Sequence, residues 1–145
     1  MRLLLCFKIF KIDGSDIPSD EANTVGNINN LLHSMYSSLR VSLNGKTFTL
    51  HESNYHYKAY LEKLLNYGSD ASGTHLLSSF WFLHSPTSEG ALKNNAGHTT
   101  RLHYLGNSNT IGLYGRLHAD LFNSDKMLIN GVDMNFKLTR ASEFF

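Results

Sequence analysis

The chain has 145 residues, 41% of them hydrophobic and 12% aromatic, with 17% charged and a formal net charge of +1. That length supports one domain around one core, and the balance suits a β-rich fold with packed aromatics better than a charged helical bundle. The thirteen Lys and Arg are scattered, so charge gives no ground for a nucleic-acid or membrane-surface partner. Cys6 is the one cysteine. This excludes an internal disulfide and a Cys-based zinc site, and fits a reducing cytoplasm or nucleus, while a disulfide-free secreted domain stays open.

The opening MRLLLCFKIFKIDG places Arg2 before a short apolar run that Lys8 interrupts. No small-residue cleavage site follows, and the run is too short to span a bilayer. It reads as a buried strand, Cys6 included, with Lys8 and Lys11 outward and a turn at Asp13-Gly14. A chain opening inside a core strand implies that the upstream part of a larger domain is missing.

After a polar connection containing Pro18, Thr24 is a candidate N-cap. Val25, Ile28, Leu32, Met35, Tyr36 and Leu39 recur at helical spacing, which predicts a helix over roughly 25–39 held by packing, since Asn and Ser fill its other face. A hairpin follows. Val41 and Leu43 lead into an Asn44-Gly45 turn, and Thr47 to Leu50 return. A second helix is predicted over 55–67, with Tyr57, Tyr60, Leu61, Leu64 and Leu65 as its core stripe and Gly68 as its C′ residue.

Residues 74–83 are apolar enough for a buried helix or a strand, and periodicity does not decide between them. Residues 84–98 read as a surface loop. Strands are predicted at 99–105, 111–122, 127–129 and 132–140, with Asn130-Gly131 as a hairpin turn between the last two. The absence of a βαβ rhythm argues against a doubly wound fold.

Eight histidines invite a search for a metal site. His51, Glu52 and His56 lie in HESNYH, one residue longer than the HExxH zinc signature. On a helix, that five-residue spacing would set the imidazoles about 140° apart. His98 and His103 repeat the spacing across a predicted loop-to-strand junction, and His118 reads as a half-buried strand residue. Gly45-Lys46-Thr47 echoes a P-loop tail, but Arg40 stands where its leading glycine belongs. No GxSxG elbow occurs. Cys6, if buried, would be a poor nucleophile. Asp120 and Asp133 could pair, though outward acids on neighbouring strands are the plainer reading. Phe80-Trp81-Phe82 and the Tyr55 to Tyr60 segment could stack sugars or bases, but core or interface is commoner. Tyr55 and Lys58, on another face from the stripe, remain available for a partner. No catalytic, cofactor-binding or metal-binding residue is assigned, and the chain is not read as an enzyme.

Four ordered blocks carry a family resemblance: LLLCFKIFKIDGSDI, VGNINNLLHSMYSSLRVSLNGK, NYHYKAYLEKLLNYGSDASGTHLLSSFWF and GRLHADLF…LINGVDMNFKLTR. Together they resemble the major capsid proteins of Polinton/Maverick elements and the related adintoviruses. The resemblance implies a mainly β chain with inserted helices, residues 1–145 forming a single incomplete jelly-roll domain, part of the first roll of a double jelly roll. It also implies a structural shell subunit whose partners are copies of itself, in a trimeric capsomer, and a minor capsid protein. No specific nucleic acid, membrane, small-molecule substrate or cofactor is implied. The location would be the virion, or the host cytoplasm or nucleus for a decayed copy. The family's chains are several hundred residues long, so the first strand, the closing strands and the whole second roll are expected to be missing, through decay or a partial gene model. Open strand edges should then leave the chain marginally stable or prone to aggregate. Two other readings remain: a lectin-like β-sandwich using Trp81 or the Tyr55/Tyr57 region, and a small hydrolase using His and Asp.

Overall fold

The computed structural model describes residues 1–17, 27–51, 53–83 and 95–142. The fold is β-rich with inserted helices, built on two small antiparallel sheets. Strand β1 (Arg2–Phe7) pairs with β4 (Ile111–Arg116). Strand β2 (Tyr36–Leu43) lies between β3 (Lys46–His51) and β5 (Met134–Arg140). The helices are α1 (Leu31–Ser34), α2 (Tyr55–Asn66), α3 (Ser69–Ser72) and α4 (Ala96–Leu105).

A strand forms where expected, but it ends at Phe7 rather than at the Asp13-Gly14 turn and is covered on one face alone, with Leu3, Leu5 and Phe7 turned toward Leu32, Phe80, Leu105 and Leu113. Cys6 therefore falls on the other face and is exposed, not buried. The period of two that turns Leu3 inward turns Cys6 outward.

The helix predicted over 25–39 shrinks to the single turn of α1, and Tyr36 already enters β2. Residues 18–26, with Thr24 and Val25, lie outside the described residues. Two patterns compete here. Leu32, Met35 and Leu39 fit a helix, but Leu39, Val41 and Leu43 also alternate, and all three are buried. A strand in this place gains ladders on both sides, from Leu39 to His51 and Leu138, and from Val41 to Thr49 and Phe136. An Asn/Ser-rich helix has no comparable gain.

The Asn44-Gly45 hairpin forms as expected, with both residues at positive φ. Asn130-Gly131 does not make a second one. Residues 127–129 are not a strand, and β5 turns to β2 instead. The two segments meet at Asn44, whose backbone N–H donates to the Asp133 carbonyl at 2.8 Å while its Oδ1 accepts from the Asp133 N–H at 2.8 Å.

Residues 99–105 are helical, not extended. The Asn95 side chain caps α4 by accepting from the His98 N–H, and Thr99 and Thr100 turn their hydroxyls onto the carbonyls of Asn95 and Ala96. The Asn95 cap favours a helix start here, and the two hydroxyls are satisfied within it. Of the loop expected at 84–98, residues 95–98 are instead the cap and first turn of α4, and residues 84–94 lie outside the described residues. Segment 74–83 is neither helix nor strand but a set of turns around a 3₁₀ turn, Leu77–Ser79. Strand β4 ends at Arg116, short of the predicted 122, and Leu117, His118 and Ala119 leave the sheet to pack inward.

Helix α2 has the predicted length but the opposite orientation. Its buried positions are Tyr55, Ala59 and Lys63, one face at i, i+4 and i+8. The expected core stripe points outward: Tyr57 is 51%, Leu61 52% and Leu65 77% exposed. Gly68 is extended, with φ of −84°, and opens α3 rather than closing α2 in a left-handed cap.

Candidate functional site

Polar side chains from four parts of the chain converge beneath α2. Asn30 and His33 come from α1 and its cap, Tyr55, Glu62 and Lys63 from α2, Ser79 from the 3₁₀ turn, and His118 from beyond β4. Lys63 is only 3% exposed. Its ammonium donates to Asn30 Oδ1 at 2.7 Å and to Ser79 Oγ, and lies 5.7 Å from the centre of the Trp81 ring. No carboxylate pairs with it among the described residues, and burial pushes its pKa down to about 7.

The second half of the cluster centres on Tyr55. Its hydroxyl accepts from the His118 backbone N–H at 3.5 Å and stands 3.0 Å from His33 Nδ1. Burial drives His33 well below its ordinary range, with Lys63 and His118 adding in the same direction, so the neutral ring shares one hydrogen bond between Nδ1 and the tyrosine hydroxyl. Its Nε2 is buried with no partner among the described residues. The His33 and His118 rings meet edge-on, with centroids 4.7 Å apart. His118 Nδ1 donates to Glu62 Oε2 at 2.6 Å. Burial lowers the His118 pKa even though the Glu62 bond raises it.

A cavity of about 320 Å³ opens beside this cluster, with Lys63, Ser79 and His118 in its wall and Arg2, His75 and Arg116 around them. A lysine beside a serine is one of the pairs that can activate a nucleophile. Here Ser79 Oγ donates its proton to the Leu76 carbonyl at 2.9 Å and accepts from Lys63. The arrangement solvates a buried amine rather than drawing a proton from the serine.

The chain is 30% identical over 116 residues to an uncharacterized protein of Caenorhabditis elegans, a match taking in 77% of this chain and 25% of that protein. The chain thus spans about a quarter of the length of the curated relative it matches. No protein-family model matches the chain, and no solved structure does.

The residues singled out in the sequence are dispersed. His51 ends β3 and His56 lies in α2, with Glu52 outside the described residues. His98 and His103 sit at opposite ends of α4. Asp120 pairs with Lys58 at 2.6 Å, whereas Asp133 accepts from Asn135, so the two acids occupy separate places. Among the described residues, no three His, Cys, Asp or Glu side chains are grouped to hold a metal, and no helix is long and apolar enough to cross a membrane. Gly45-Lys46-Thr47 is a hairpin turn entering β3. Trp81 is 1% exposed and Tyr55 fully buried, so neither offers a ring to a partner. Lys58 is engaged by Asp120 and Glu62. Sequence reasoning missed Asn30, His33, Lys63 and Ser79. The signal that could have found Lys63 is its place on one helical face with Tyr55 and Ala59.

Proposed function

We propose that the chain is a structural subunit of a shell, of the double jelly-roll capsid type, and works by association with copies of itself rather than by catalysis. The observation that carries this reading is the outward face of α2, where Tyr57, Leu61, Leu64 and Leu65 stand exposed together. Four large apolar side chains on one helix form the kind of patch that marks an interaction surface. The sheets support the same reading. Only β2 is flanked on both sides among the described residues, leaving β1, β3, β4 and β5 each with an edge open to another strand.

On this reading the two small sheets belong to a jelly-roll sandwich, the open edges are completed within the assembly, and the assembled unit is a trimer. The buried polar cluster then fixes how α2 seats on the core. A lectin-like role through Trp81 is disfavoured, because its indole is packed against Tyr60, with ring centres 5.0 Å apart, and over Lys63. The test is mass photometry and negative-stain microscopy of the protein at rising concentration. Trimers or shells are expected. A glycan-array signal from a protein that stays monomeric would favour the lectin reading instead.

A further inference from the structure

We propose that the cavity at the end of the β1/β4 pair binds a phosphate group, either free or carried by a small phosphomonoester. The first observation is the register of the two strands. Arg2 stands directly opposite Arg116. Like charges in that position repel, and neither arginine has a carboxylate partner among the described residues. Arg2 instead donates to the Tyr114 hydroxyl at 3.0 Å and lies over that ring, while Arg116 donates to the Phe122 carbonyl. Both guanidiniums rest on neutral acceptors.

The second observation is the cavity itself. Arg2 and Arg116 line it together with the buried Lys63 and with His75 and His118, and no carboxylate does so among the described residues. Glu62 lies beyond His118 and is held by His118 and Lys58. Among the described residues Lys63 has neutral acceptors but no carboxylate, burial pushes its pKa down to about 7, and a bound dianion would supply the missing charge. The volume of about 320 Å³ suits a small ligand. Two guanidiniums and the Lys63 amine, approaching from two strands and a helix, can each donate to a different oxygen, which suits a phosphate with its three or four acceptor oxygens more than a carboxylate with two.

This inference is independent of the association reading. Calorimetric titration of the full chain with inorganic phosphate, glycerol 2-phosphate and acetate tests it. Saturable binding of either phosphate below about 10 mM, with acetate much weaker, is expected. Equal affinity for the two would indicate the free anion, and tighter glycerol 2-phosphate binding an esterified ligand. Arg116→Gln and Arg2→Gln, both near the surface, should each weaken binding about tenfold, while Lys137→Gln on β5 should not. No saturation in this range, preference for acetate, or equal weakening by Lys137→Gln would overturn the proposal. Circular dichroism of each variant separates lost binding from lost fold.

Discussion

Lys63 Nζ lies 2.7 Å from Asn30 Oδ1, joining helix α2 to the residue that caps α1. Asn30 has φ of 59°, a conformation that asparagine and glycine tolerate and most residues do not. One residue therefore turns the chain into α1 and accepts from a buried amine. Asn30→Gly keeps the backbone accessible but removes the acceptor. It should lower stability by about 1–3 kcal/mol, read from the midpoint of urea unfolding.

Stability should depend on pH through the same cluster. His33 and His118 both have folded-state pKa values below their ordinary 6.5, so the unfolded chain takes up protons more readily. Their contribution is complete above about pH 6.5 and is lost as pH falls. Lys63 follows the same rule in a higher window. Between about 7 and its ordinary 10.5, the unfolded lysine holds a proton that the folded one releases, so stability climbs with pH. Above pH 10 burial of Tyr55 opposes this, because its folded hydroxyl keeps its proton while the unfolded one loses it. The urea midpoint should therefore rise from about pH 5 to about pH 9, and Lys63→Met should flatten the alkaline half of that rise. A midpoint that is flat or falling between pH 7 and 9 would contradict the burial of Lys63.

Two glycines should not accept a methyl group. A Cβ at Gly97 would sit 2.4 Å from the Leu83 carbonyl oxygen, and one at Gly115 would sit 2.6 Å from Leu32 Cδ2. Gly97→Ala meets backbone and should cost about 1–3 kcal/mol in a thermal melt; Gly115→Ala meets a side-chain end and should cost less.

Trp81 and Tyr57 should separate core from surface. Trp81→Ala opens a cavity beside Lys63 and should cost about 3–5 kcal/mol. Tyr57→Ala should change monomer stability by less than about 0.5 kcal/mol while weakening self-association. Equal losses of stability would place Tyr57 in the core.

The legible parts of the fold were those where only one pattern applies: the presence of β1, though not its end or its exposed face, the Asn44-Gly45 hairpin, and the extent of α2. Where two patterns overlap, tertiary pairing decided, as at Leu39, which satisfies both a helical and an alternating spacing. The inversion of α2 has a different cause. Five large apolar residues outline a better hydrophobic stripe than Tyr55, Ala59 and Lys63, yet the latter face inward because Asn30, Ser79 and Trp81 surround the lysine. A lysine that finds its acceptors some 16 and 33 positions away leaves no local signal. For the same reason the site was invisible as a unit, although each member was in plain view.

Sedimentation velocity of the purified chain over a wide range of concentration tests the association reading most directly. The parent chain should self-associate with rising concentration, and Leu61→Asp together with Leu65→Asp should return it to monomer with the fold intact by circular dichroism. A parent chain that sediments as a monomer at every concentration would contradict the account.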